Sequence, residues 1–176
     1  MTQGSPQPWL WGRFSALGLA VAASTAVIDQ AHKWWMILVY EIEAKGRVAV
    51  LPFLDFVYVL NKGISYSLLS METQGGQRAL AAFAFVASVA LWIWISRAAT
   101  NRLMTVSLAL ILGGAVGNGI DRLTLGGVAD FFLLHTLDRS FTWYVFNIAD
   151  VAIVAGVVGL LYESLITSRK DAVRSL

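Results

Sequence analysis

Between Arg78 and Arg97 the chain runs from Ala79 to Ile95 without a single ionisable side chain. About 20 helical residues, rising about 1.5 Å each, cross a hydrocarbon core of about 30 Å, so this stretch reads as a membrane span. Three further apolar stretches accompany it. Phe14 to Ile28 continues through Asp29, Gln30, His32 and Lys33 to Leu38; Leu103 to Gly117 ends in Asn118, Asp121 and Arg122; Trp143 to Ile166 carries Asn147, Asp150 and Glu163. Each reaches spanning length once its polar end is counted as helix near an interface.

The reading is an all-α membrane protein, with residues 1–176 forming a single integral membrane domain. Its four transmembrane helices fall at about 14–36, 78–96, 103–120 and 143–166, with extracytoplasmic loops at about 37–77 and 121–142. Composition excludes the alternatives. Only 14% of residues are charged and mean hydropathy is +0.67, whereas a soluble domain carries roughly a quarter charged residues. Disorder is excluded by the same low charge and by seven Trp, nine Phe and five Tyr. A net charge of +2 is too slight to argue for nucleic acid as a partner.

Cysteine is absent, which removes disulfides, thiolate metal sites and a cysteine nucleophile. His32 and His135 are the only imidazoles and lack partners at zinc-motif spacing, so no metal and no cofactor are expected.

Orientation follows from the short basic segments. Arg97 to Arg102 holds two arginines and no acid, and the ends add Arg13, Arg169, Lys170 and Arg174, which places both termini in the cytoplasm. A cleaved signal peptide at Ala22-Ala23-Ser24 is the rival for the first stretch, but its basic flank is only Arg13 and the apolar run continues past that site.

From Arg47 to Leu69 the texture changes to Val, Leu, Phe and Tyr broken by Pro52 and by Asn61-Lys62-Gly63. Short strands meeting at turns are expected, forming a small extracytoplasmic β-sheet. Leu137 to Phe146, with Phe141, Trp143 and Tyr144, suits an interfacial segment where amphipathic rings settle.

Ionisable groups at membrane depth cost at least about 2.5 to 3.5 kcal/mol on insertion scales and therefore tend to have a purpose. With antiparallel spans, Asp29, Lys33, Asn118, Asp121, Arg122, Asp130, Asn147 and Asp150 all gather at the outer boundary. Asp29 and Lys33, four apart, share a helix face and can pair; Asp121 can pair with Arg122 or another base. Asp130 and Asp150 have no nearby base in sequence. Two such carboxylates close together would share a proton. Gly113, Gly114, Gly117 and Gly119 leave the end of the third span bare, with small-xxx-small spacing for close helix packing. Asn118 among them can lie against a substrate backbone.

The blocks Gly113-Gly114-Ala115-Val116-Gly117-Asn118-Gly119-Ile120-Asp121-Arg122, Val128-Ala129-Asp130-Phe131 and Phe146-Asn147-Ile148-Ala149-Asp150 resemble the signature blocks of the lipoprotein signal peptidases, or type II signal peptidases. Asp29-Gln30 with Lys33, and Asn61-Lys62-Gly63-Ile64-Ser65-Tyr66-Ser67, resemble two more, with Ile64 and Tyr66 departing from the family's usual Ala and Phe or Trp. The resemblance implies a multi-pass aspartic endopeptidase of the bacterial inner membrane, its active site near the periplasmic face. Its substrates would be diacylglyceryl-modified prolipoproteins, cut before the lipidated Cys, with membrane lipid as the other partner. It further implies that Asp130 and Asp150 are catalytic, that Asn61, Gly63, Asn118, Arg122 and Asn147 hold the substrate, and that Asp29, Lys33 and Asp121 support the site.

No Ser-x-x-Lys or Gly-x-Ser-x-Gly nucleophile motif appears on the outer side, so hydrolysis would use water directly. Two other classes stand beside the protease. A small proton-coupled carrier or channel subunit would spread carboxylates through the membrane depth. A structural membrane-assembly partner would explain the glycines but not Asp130 and Asp150.

Overall fold

A computed structural model describes residues 9–63 and 73–174. It is mostly helical, in the order α1 (Ser15–Leu38), α2 (Ile42–Lys45), β1 (Val48–Leu51), β2 (Leu54–Asn61), α3 (Gln74–Ala98), α4 (Arg102–Thr124), β3 (Val128–Leu134) and α5 (Ile148–Arg174). Among the described residues, three segments are long and apolar enough to cross a membrane: Gln74–Ala98, Arg102–Thr124 and Ile148–Ser168. Helix α1 is as long, but its C-terminal half carries Asp29, Gln30, His32 and Lys33.

Helix α4 is central, packing against α1, α3 and α5. Its glycines allow this. A Cβ on Gly114 would stand 2.6 Å from the Ala149 carbonyl oxygen, and one on Gly117 would stand 2.5 Å from Asp29 Oδ2. Side chains would therefore drive α5 and α1 away from the polar end of α4. The opposite surfaces are apolar and exposed, as at Phe83 and Phe85 on α3 and Leu161 and Leu165 on α5. A helix apolar on its outer face suits lipid as its solvent.

The starts of α3, α4 and α5 are each capped by a short polar residue. Thr73 Oγ1 accepts from Gly76 N–H at 3.1 Å for α3, and Asn101 Oδ1 from Met104 N–H at 2.9 Å for α4. For α5 the cap is reciprocal: Asp150 N–H donates to Asn147 Oδ1 at 2.9 Å and Asn147 N–H donates to Asp150 Oδ2 at 3.1 Å. This arrangement is a capping box.

The sheet is antiparallel in the order β1-β2-β3, with Asn61 opposite Val128, Val59 opposite Asp130 and an irregularity between Phe56 and Val59. Met36, Ile42, Ala129 and Phe131 form its buried core beneath Tyr40, Phe56 and Tyr58. At its far end Asp55 is wholly buried, bonded by Arg47 Nε and 3.3 Å from His135 Nε2. Burial would raise the Asp55 pKa, but the hydrogen bonds and charges of Arg47 and His135 hold it below the ordinary value.

Two sequence expectations need correction. Strands were expected only between Arg47 and Leu69, yet the third strand is Val128–Leu134, after α4. Its first four residues are buried, so the period-2 alternation that marks a half-exposed strand is missing. The last helix was expected from about Trp143 but begins at Ile148. Residues 143–146 instead extend along β3, where Trp143 N–H reaches the Leu134 carbonyl at 2.7 Å and Phe132 and Phe146 exchange backbone bonds of 2.9 and 3.1 Å. Aromatic residues favour that pleated setting over the first turn of a helix. Ile64 and Tyr66, with the rest of their block after Gly63, lie outside the described residues.

Candidate active site

The polar residues flagged along the sequence meet where α1, α4, β3 and the start of α5 converge. Asp130 sits in β3 and is 2% exposed; Asp150 sits in the first turn of α5, where it is half-buried. Two asparagine amides join them. Asn147 Nδ2 donates to Asp130 Oδ1 at 2.6 Å and to Asn118 Oδ1 at 3.2 Å, and Asn118 Nδ2 donates to Asp150 Oδ1 at 2.9 Å. The other Asp130 oxygen accepts from Asn61 Nδ2 at 3.2 Å. Burial and the neighbouring Asp150 charge push the Asp130 pKa up to about 7, against the lowering effect of Asn61 and Asn147.

Asp150 is held as a hydrogen-bond acceptor at both oxygens, by Asn118 Nδ2 and by the Asn147 N–H. It also lies in the first helical turn, where the N-terminal dipole favours negative charge. The two carboxylates thus occupy unequal surroundings. One is enclosed and carries its proton up to neutral pH; the other is wetter and faces N–H donors.

Behind them lies a second tier. Lys33 Nζ stands 2.8 Å from Asp29 Oδ2, 2.8 Å from Asp121 Oδ2 and 3.0 Å from Asn118 Oδ1. Asp29 and Lys33 pair across one helical turn, whereas the base on Asp121 is Lys33 rather than Arg122. Adjacent helical residues do not face each other, so Arg122 is turned elsewhere. Arg122 Nη1 donates to the Asn118 carbonyl at 3.0 Å and Nη2 to the Gly63 carbonyl at 3.4 Å, while its buried Nε has no partner among the described residues. Gly63 N–H returns to Asn61 Oδ1 at 3.0 Å. Asn61, Gly63 and Arg122 therefore line one flank of the pair.

One residue escaped the sequence reading in any role of its own. Gln30 Nε2 donates to Asp121 Oδ1 at 2.7 Å and to the Gly117 carbonyl at 3.1 Å, clasping α1 to α4. Its signal was present, a primary amide in an apolar helix beside Asp29. Among the described residues no three of His, Asp and Glu gather to hold a metal ion. The chemistry available is that of two unequal carboxylates with oriented amides, which can take a proton from water and give one to a carbonyl.

Comparison with known proteins shows the family. The family described as signal peptidase (SPase) II matches residues 21–166. A lipoprotein signal peptidase of Methylocella silvestris is 50% identical over 153 residues, covering 87% of this chain and 88% of the relative. One from Rhodopseudomonas palustris is 51% identical over 152 residues, covering 85% and 92%. Among solved structures, a bacterial membrane enzyme determined by the in meso method at 1.9 Å resolution superposes with a TM-score of 0.72 at 27% identity, covering 88% of this chain and 96% of that one.

Proposed function

The chain belongs to the signal peptidase II family, a family of proteases, and from that premise we propose how it removes signal peptides from prolipoproteins: Asp130 and Asp150 activate a water between them. The observation that carries this reading is the shared Asn118–Asn147 amide bridge, which ties the two carboxylates into one unit on different elements.

Asp150, ionised, takes a proton from the water as its oxygen attacks the scissile carbonyl carbon. Asp130, protonated at neutral pH, donates to the carbonyl oxygen as the tetrahedral intermediate forms. Collapse of the intermediate breaks the C–N bond, the proton taken up by Asp150 passes to the leaving amine, and the proton on the former carbonyl oxygen returns to Asp130. Asn118 and Asn147 keep the two carboxylates in register and, with Asn61, Gly63 and Arg122, hold the peptide backbone. Arg122 Nε, without a partner among the described residues, supports that role, because a buried donor without an acceptor is costly unless a ligand supplies one.

The substrate is a diacylglyceryl-modified prolipoprotein cut before its lipidated Cys, and the exposed apolar helix faces beside the site suit a substrate that arrives through lipid. This multi-pass protein crosses the bacterial inner membrane four times, α1 included, with both termini cytoplasmic and the site near the periplasmic face. The carrier reading is disfavoured by the clustering of the acids at one end of the bundle. Asp130→Asn and Asp150→Asn, each purified in detergent, test the assignment. Both should abolish cleavage of a lipidated prolipoprotein, and near-normal turnover in either would remove the pair.

A further inference from the structure

Gln77 belongs to none of the sequence blocks that pointed to a function, yet it is 2% exposed and reaches out of its own helix. It lies in the first turn of α3, and its Nε2 donates to the Lys62 carbonyl at 2.7 Å. Thr73 fixes where that turn begins, since its Oγ1 accepts from Gly76 N–H and its carbonyl from Gln77 N–H, each at 3.1 Å. Among the described residues no other α3 side chain hydrogen-bonds to β2 or to the turn after it.

The carbonyl that Gln77 holds is the middle one of Asn61-Lys62-Gly63. On one side of it, Asn61 Nδ2 donates to Asp130 Oδ2 at 3.2 Å. On the other, Gly63 N–H donates to Asn61 Oδ1 at 3.0 Å, and the Gly63 carbonyl accepts from Arg122 Nη2 at 3.4 Å.

We propose that Gln77 is a positioning residue of the active site: by holding the Lys62 carbonyl from α3, it keeps Gly63 N–H on Asn61 Oδ1 and so keeps the Asn61 amide turned with Nδ2 towards Asp130. This rests on the reading of Asp130 and Asp150 as the catalytic pair.

A primary amide has a donor end and an acceptor end, and Asn61 could present either to a carboxyl group. Gly63 N–H decides between them, because only the amide oxygen accepts from it. That bond lasts only while the turn keeps its shape, and two helices brace the turn, α4 through Arg122 and α3 through Gln77. The Arg122 contact is long for a hydrogen bond and the Gln77 contact is short, so α3 is the firmer brace. A residue that served only to start α3 would not need to leave the helix, because Thr73 already caps it.

The consequence reaches the chemistry. Burial and the Asp150 charge raise the Asp130 pKa, while donation by Asn61 and Asn147 lowers it. Without the Asn61 donor, Asp130 keeps its proton to higher pH, and the alkaline limb of the rate profile moves up. The charged groups facing Asp130 are Asp150 on α5, Lys33 on α1 and Arg122 on α4. Asp150 and Lys33 have no bond to the turn among the described residues, and retreat of the Arg122 cation would move the limb in the same direction.

Gln77→Met keeps the bulk of the side chain without the donor. Gln77→Ala is run beside it, because the space it opens admits water to the Lys62 carbonyl, which satisfies that group without tying it to α3. The pH dependence of kcat/KM for a lipidated prolipoprotein, which reports the free enzyme, is measured in detergent together with thermal unfolding. Asn61→Ala, the combination of Gln77→Met with Asn61→Ala, and Leu80→Ala are measured alongside; the last deletes buried packing near the same end of α3. Each Gln77 variant should shift the alkaline limb up by about one pH unit, the scale of one hydrogen bond to a charged group. Asn61→Ala should shift it as far and the combined variant no farther, while Leu80→Ala lowers the unfolding midpoint and leaves the limb in place. A limb at its wild-type position in folded Gln77 variants would overturn the proposal, as would shifts that add in the combined variant or an equal shift in Leu80→Ala. Loss of folded protein in both Gln77 variants would also overturn it, making Gln77 a structural tie only. Turnover retained by Asp130→Asn would remove the catalytic pair and this proposal together, an outcome seen without any change at Gln77.

Discussion

Asp130→Asn should inactivate the enzyme and yet make it more stable in alkali. The folded protein protonates Asp130 at about 7, against an ordinary value of 3.8. A carboxyl raised in the folded state favours folding fully below the unfolded value, and that stabilisation is lost as pH rises through the folded one. The interval from 3.8 to about 7 corresponds to about 4 kcal/mol between acid and alkaline limits. Asp130 is 2% exposed, so solvent screening reduces this little. Asn does not ionise and escapes the loss. It does turn an amide NH2 towards Asn61 or Asn147, both donors to Asp130 in the wild type, which costs about 1 kcal/mol.

The net expectation above about pH 8 is a gain of about 3 kcal/mol, or about 6–12 °C in unfolding midpoint for a chain of this size. The advantage should disappear near pH 4, where the wild-type carboxyl is protonated less unequally in the two states. Unfolding in detergent micelles is followed by the fluorescence of the seven Trp, for both proteins across pH, with cleavage measured in parallel. A variant less stable than wild type at pH 8, or a difference that does not change with pH, would refute the reasoning.

Two further perturbations address the architecture. Gly117→Ala places a methyl 2.5 Å from Asp29 Oδ2 and should reduce turnover by disturbing the bond Asp29 accepts from Ala149 N–H, and wild-type kinetics with wild-type stability would show that α1 yields freely. Cysteines introduced singly at Thr100 and Ser168 should resist an impermeant thiol reagent applied outside intact cells while one at Thr73 reacts, and the opposite pattern would place the carboxylates on the cytoplasmic side.

The legibility of this chain differed by kind of signal. Apolar runs announced the long helices because lipid-facing residues follow from composition alone. The gathering of Asp29, Lys33, Asn118, Asp121, Asp130, Asn147 and Asp150 followed from antiparallel crossing. Local geometry was readable where both partners were close in sequence: Asp29 with Lys33, and Asn147 with Asp150 in the cap of α5. Contacts between elements were not. Lys33 meets Asp121, and Asn118 meets Asp150, only because glycines bring α1 and α5 close to α4. Strand β3 was hidden because Val128 to Phe131 are buried without alternation, and residues 143–146 because their backbone partners are supplied by that unseen strand. Gln30 was visible as an oddity, but its partners Asp121 and Gly117 lie about 90 residues onward.

Purified protein is incubated with a prolipoprotein bearing the diacylglyceryl group on its Cys and, separately, with the unlipidated form, each beside the Asp150→Asn variant. Cleavage immediately before the Cys of the lipidated substrate by the wild type alone, with the unlipidated form left intact, is the expected result. Equal cleavage of both forms would contradict the substrate assignment, and cleavage by Asp150→Asn would contradict the paired-aspartate mechanism.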